Sequence, residues 1–149
     1  MTVTFFGHRD TPEIVYPLLE ETIKELIEKK NITKFYVGNN GKFDYMARVA
    51  LRNLKVQYPY IEYSVVLAFK PRLCDMANLR CNVEYPDCLQ TVSNTAAIPM
   101  RNMWMIENSD IVVSYVLRRN GGAWRFSQTA KDKGKQVINL ARKQSSVFA

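Results

Sequence analysis

Three short apolar runs, each ending at a glycine-bearing turn and followed by helical periodicity, constrain this chain more than any other feature. Val3, Thr4, Phe5 and Phe6 carry no polar alternation, as a strand covered on both faces by the helices of a parallel sheet requires. The run stops at Gly7. Beyond it, Asp10 or Thr11 is placed to cap a helix and Pro12 to occupy its first turn. Glu13, Glu20 and Glu21 fall early and Lys29 and Lys30 late, matching the helix dipole. Ile14, Val15, Leu18, Leu19, Ile23, Leu26 and Ile27 recur at three- and four-residue spacing and predict one buried stripe.

The same unit then repeats. Residues 34–37 predict a second strand, closed by Gly38, Asn39, Asn40 and Gly41, a loop suited to positive φ at several positions. Phe43, Met46, Ala47, Ala50, Leu51 and Leu54 form the inner face of the next helix, which Pro59 ends. Residues 61–69 predict a third strand. Residues 70–97, with Pro71 and Pro86, sustain neither period and predict an irregular excursion, with room for a short helix over 75–80. Helical spacing returns over 98–108 with Pro99 at its start, and residues 111–117 form a β-branched strand. Gly121 and Gly122 open a helix with Phe126 and Ala130 inward, closed by Gly134, and residues 137–140 form the fifth strand. The expected architecture is one domain over 1–149, α/β and Rossmann-like, with three α/β/α layers around a mainly parallel five-stranded sheet.

Composition narrows the classes. An apolar fraction of 47% excludes disorder, and no apolar run approaches the roughly 20 residues that span a bilayer. With no basic leader or cleavable small-residue site at the start, the expected compartment is the cytoplasm and no membrane partner is expected. Cys74, Cys81 and Cys88 are spaced by seven, whereas zinc sites usually pair cysteines two to four residues apart, and the single histidine, His8, is remote in sequence. Reduced thiols are expected, with neither metal nor cofactor. The net charge of +7 is concentrated after residue 117, where Arg118, Arg119, Arg125, Lys131, Lys133, Lys135, Arg142 and Lys143 face only Asp132. Such an excess favours anionic partners, a phosphate-bearing small molecule or nucleic acid, and is equally the pattern of a solvated face.

In open parallel sheets ligands bind beyond the carboxyl ends of the strands, near the switch in strand order. Three turns matter there: Gly7, His8 and Arg9 after the first strand; Gly38, Asn39 and Asn40 after the second; and Gly121, Gly122 and Ala123 after the fourth. Glycine lets backbone approach a ligand closely, and helix amino ends attract phosphate. Arg9 offers a bidentate grip on phosphate, Asp44 an acceptor for a ribose, and Arg101 and Asn102 a rim. Capping, salt bridging and favourable charge at a helix start remain the plainer alternatives for these residues.

The opening residues Phe5 to Arg9, the segment 41–47, the stretch 98–110 and the Gly121-Gly122-Ala123 turn together resemble the SLOG superfamily, and within it most resemble its DUF1273 and YspA/YoqJ-like branches. That superfamily includes the Lonely Guy phosphoribohydrolases and DprA. The resemblance implies a Rossmann-like nucleotide-binding fold, Asp44 and the Gly-Gly turn at the ligand site, and a homo-oligomer, although no periodicity in the chain demonstrates one. Catalysis is not implied. Where the hydrolases carry a glutamate after the Gly-Gly turn this chain has Gln128, which supplies no charge for an oxocarbenium-like state. The leading expectation is therefore a sensory or regulatory module that binds a nucleotide or nucleotide-derived ligand, with no catalytic residue assigned. An enzyme acting on N-glycosidic bonds and a nucleic-acid-binding protein are the alternatives.

Overall fold

The computed structural model describes residues 1–74 and 81–143. Its first strand, β1 (Thr2–Gly7), explains the missing polar alternation, because both of its faces are covered. Val3 and Phe5 belong to one apolar cluster, and Phe6 to another on the opposite side of the sheet. Thr4, fully buried, donates its hydroxyl to the Tyr36 carbonyl at 2.9 Å. The remaining strands are β2 (Lys34–Val37), β3 (Glu62–Val66), β4 (Asn82–Glu84), β5 (Ile111–Tyr115) and β6 (Gln136–Asn139). They form one sheet ordered β4-β3-β2-β1-β5-β6, with every neighbouring pair parallel.

Four helices have both ends among the described residues: α1 (Tyr16–Lys30), α2 (Gly41–Gln57), α3 (Asn94–Glu107) and α4 (Gly121–Asp132). The first two bury Leu19, Ile23, Phe43 and Leu51 on one face of the sheet. The last two bury Met105, Ile106, Phe126 and Ala130 on the other. No helix of the described residues is long and apolar enough to cross a membrane.

Several expectations are corrected. The sheet has six strands, not five, because β4 lies inside the segment expected to be irregular. Three residues at a sheet edge are too few to show a period. That segment also holds a 3-10 turn at Asp87–Leu89, and a short helix over 75–80 lies outside the described residues. The helix before β5 begins at Asn94 rather than at residue 98, so Pro99 sits inside it and withholds one amide from the i−4 ladder. Ile14 is 60% exposed. Residues Glu13–Val15 form a separate 3-10 turn whose tighter phase buries Val15 and turns Ile14 outward. Neither Asp10 nor Thr11 caps: Thr11 donates its hydroxyl to the His8 carbonyl at 2.5 Å, and Asp10 pairs with Arg118.

Gly7 is required by close approach. A Cβ there would lie 2.2 to 2.6 Å from ring atoms of Phe43, which is itself fully buried. We expect Gly7→Ala to destabilise the protein by about 1–3 kcal/mol through overpacking. Gly122→Ala, whose Cβ meets nothing within 4 Å, should stay within about 0.5 kcal/mol of wild type. Chemical denaturation of the two variants checks the contrast.

Candidate functional site

Strand order reverses between β1 and β5, and the chain's chemistry gathers at their carboxyl ends. A pocket of about 380 Å³ opens there, within the range of small-ligand sites. Of the residues expected from sequence, Gly7, His8, Arg9, Asn40 and Asp44 line it from the first two turns. Arg101 and Asn102 line it from α3, and Gly121, Gly122 and Ala123 from α4. Gly38 and Asn39 do not line it. Asn120 lines it too, as the first residue of the third turn, whereas Arg118, three residues beyond β5, and the apolar Phe6, Ile98 and Met105 were not expected there. Position in the turn after a strand was the available signal for Arg118.

The second turn is built around a buried guanidinium. Arg101 is 1% exposed. Its Nη1 donates to Asn39 Oδ1 at 3.1 Å and to the Val66 carbonyl at 2.9 Å, its Nη2 to Asn40 Oδ1 at 2.9 Å, and its Nε to Asn102 Oδ1 at 2.8 Å. The two asparagines before α2 therefore hold the arginine instead of capping the helix, and Asn40, its N-cap, makes no side-chain capping bond. Asp44 supplies the return bond by accepting from the Asn40 amide at 3.0 Å. Gly38 keeps acid and base in place. A Cβ at that position would sit 2.6 Å from Asp44 Oδ2 and 3.3 Å from the guanidinium carbon. In the loop 38–41 only Gly41 uses positive φ, at 89°, where the chain passes 2.8 Å from Arg9 Cα if a Cβ is added.

Burial pushes the Asp44 carboxyl up to about 6, outweighing the Asn40 amide and the charges of Arg101 and Arg48. Burial likewise pulls Arg101 below its ordinary value, against the pull of Asp44.

His8 proves to be a structural tie. Its Nε2 accepts from the Leu117 amide at 2.9 Å and the Arg118 amide at 3.3 Å, which fixes the neutral imidazole with its proton on Nδ1. Burial, then the Arg118 charge, lowers its pKa and keeps it neutral. The first turn is thereby bound to the turn after β5. Arg118 crosses the same gap to Asp10 at 2.9 Å, an exposed pair.

The α4 end is open. Gly121 holds φ at 81°, Asn120 makes no side-chain capping bond, and a Cβ on Gly121 or Gly122 would meet nothing within 4 Å. The first turn of α4 thus lines the pocket with no side-chain cap on its amides, an arrangement suited to an anion. Gln128 is elsewhere: it lines a second cleft, between α4 and β6. The residue that stands where the hydrolases have glutamate therefore does not face the switch-point pocket. Among the described residues no group of three His, Cys, Asp or Glu side chains is placed to hold a metal ion.

Fold and site together define a Rossmann-like α/β protein with a pocket at its strand switch. No protein-family model matches the chain, and no curated protein matches it in sequence. Solved structures match in fold. DNA processing protein A (DprA) from Streptococcus pneumoniae superposes with a TM-score of 0.66 at 16% identity, over 91% of this chain and 48% of that one. The Helicobacter pylori protein of the same name, whose single-stranded DNA binding mode has been described, gives 0.64 at 16% identity, over 92% and 63%. TM1055, a structural genomics target, gives 0.57 at 15% identity, over 97% and 80%. The chain thus spans about half to two-thirds of the two DprA chains, and the likeness establishes the Rossmann-like fold.

Two outcomes are expected. Arg101→Met strands three side-chain amide oxygens, the Val66 carbonyl and the Asp44 charge, and should destabilise by about 3–5 kcal/mol in denaturant titration. Asp44→Asn tests the raised carboxyl. The folded state holds that proton more tightly than the unfolded chain, so wild-type stability relative to Asp44→Asn should fall as pH rises from about 4 to about 6, by up to about 3 kcal/mol, and then level off. Parallel pH series of both proteins measure it.

Proposed function

We propose that the switch-point pocket binds a nucleotide or nucleotide-derived ligand, with its phosphate on the amino end of α4 and its sugar towards Asp44 and Asn102. One observation carries this reading. The Gly121-Gly122 turn presents uncapped amides to a 380 Å³ pocket at the strand switch, in space that no side chain occupies. Arg9, exposed at the mouth, supplies a charge-assisted contact, whereas Arg101 already has four protein acceptors and acts by holding the second turn rigid. A rigid cradle without a placed nucleophile suits a cytoplasmic sensory or regulatory module, and the SLOG resemblance, in its DUF1273 and YspA/YoqJ-like branches, agrees with it.

A second reading, cleavage of an N-glycosidic bond, draws on the Asp44 carboxyl, which titrates near pH 6 in the pocket wall and so could exchange a proton close to neutrality. Release of free base from nucleoside monophosphates, abolished by Asp44→Asn, would favour it over simple binding.

Thermal shift and calorimetry with nucleoside monophosphates, ADP-ribose and cyclic nucleotides test the leading reading. We expect a saturable rise in melting temperature with at least one of them. Gly122→Leu, which fills open space without meeting another atom at Cβ, should abolish that rise while leaving the unliganded melting temperature within about 2 °C of wild type. No binding at millimolar ligand to folded protein overturns the reading.

A further inference from the structure

We propose that the cleft between α4 and β6 is a second binding site, for a phosphate-bearing ligand, distinct from the switch-point pocket and not dependent on it. The cleft measures about 720 Å³ and lies across α4 from that pocket. Its cations are Arg118, Arg119, Lys131 and Arg142, and no carboxylate lines it. Arg118 is held by Asp10. The side chains of Arg119 and Lys131 are exposed and make no hydrogen bond or ion pair among the described residues. Much of the charge excess that the sequence concentrates after residue 117 therefore surrounds one concavity, where like charges raise the potential together.

A second, independent observation points to an occupant. The hydroxyls of Ser114 on β5 and Ser127 on α4 are buried, at 0% and 4% residue exposure, have no hydrogen-bond partner among the described residues, and belong to residues lining this cleft. A buried polar group left unpaired costs about 1–3 kcal/mol. Of the three described serines with such a hydroxyl, Ser109, Ser114 and Ser127, two lie in the wall of this one basic cleft, where a polar ligand seated against them would supply the missing partners. Asn139 does not compete for them. Its Oδ1 accepts from the Val116 and Ala141 amides and its Nδ2 donates to the Val116 carbonyl, so it is committed to closing the sheet end.

The half-buried Trp124 also lines the cleft, an aromatic side chain of the kind on which a base-like ring stacks. The ligand chemistry is thus a phosphate with an attached ring. A free nucleotide and a single-stranded oligonucleotide both present it.

Trp124 also provides the assay. The chain has two tryptophans, and the other, Trp104, packs against Tyr36 with ring centroids 5.0 Å apart and does not line the cleft. In the full chain carrying Trp104→Phe, adenosine 5′-monophosphate and a thymidine hexanucleotide are titrated at low salt while Trp124 emission is followed. We expect a saturable change with at least one probe. The mononucleotide responding identifies a free phosphate ester; the oligonucleotide alone responding identifies a phosphodiester strand, whose affinity then falls steeply with salt.

The apparent Kd should rise about tenfold or more in Arg119→Ala/Lys131→Ala. It should be unchanged in Gly122→Leu, which blocks only the switch-point pocket. Ser127→Ala should raise the melting temperature of the unliganded protein and also weaken binding; a merely structural serine would do only the first. Calorimetry on chains that keep Trp104 reads the same affinities without that substitution. No response to either probe at millimolar concentration overturns the proposal, as does an Arg119→Ala/Lys131→Ala protein that binds like wild type. Loss of the response in Gly122→Leu overturns it too, by reducing the two sites to one.

Discussion

The buried guanidinium of Arg101 is the interaction on which the site depends. It enters from α3 and reaches the carbonyl that ends β3, both asparagines of the β2–α2 turn and its own neighbour Asn102. Desolvating an arginine is costly unless nearly all of its donors are satisfied, and four directed bonds here offset that cost. Because the acceptors come from three separate elements, the cation fixes their relative positions more tightly than apolar contact could. The same bonds leave the amino end of α2 without side-chain caps, and Asp44 compensates by folding back onto the Asn40 amide. An acid and a base are thereby carried into the core with a glycine between them, and removing the guanidinium would leave four oxygen acceptors without their donor.

How much of this was legible in the sequence follows from the range of each interaction. The β1–α1–β2–α2–β3 half emerged because each of its elements repeats its period within its own residues, as Phe43, Met46, Ala47, Ala50, Leu51 and Leu54 do on α2. The other half is less local. Asn82–Glu84 becomes a strand only because β3 offers it a free edge, and three residues carry no period by themselves. Residues 94–97 lack the large apolar side chains that mark a helical stripe, and Pro99 resembles a first-turn proline, so the start of α3 was placed four residues late. His8 was visible as a candidate but its role was not, since the amides it accepts from lie more than a hundred residues away.

The glycines divide along the same line. All three turns carry them, and from sequence they are equivalent. In the fold they are not: Gly7 clears the Phe43 ring, Gly38 clears the space between Asp44 and Arg101, and Gly121 and Gly122 clear nothing in the protein. The first two are explained completely by packing. Only at the α4 turn does the absence of a side chain leave unoccupied room beside unsatisfied amides, so a turn's glycine count is a weaker guide to a ligand than what a Cβ would strike.

Electrostatics favours that same turn. Arg118 borders both clefts that flank α4, and its salt bridge to Asp10 is exposed, so solvent and salt weaken it to a marginal contact. An anion arriving on either side competes with Asp10 for that arginine at little cost. His8 meanwhile clamps the Leu117 and Arg118 amides through a neutral ring that burial keeps uncharged. The backbone under Arg118 is therefore held in register while its side chain remains exchangeable. A fixed stem with a weakly committed cation therefore stands between the two clefts, and the charge can turn to either without the fold having to move.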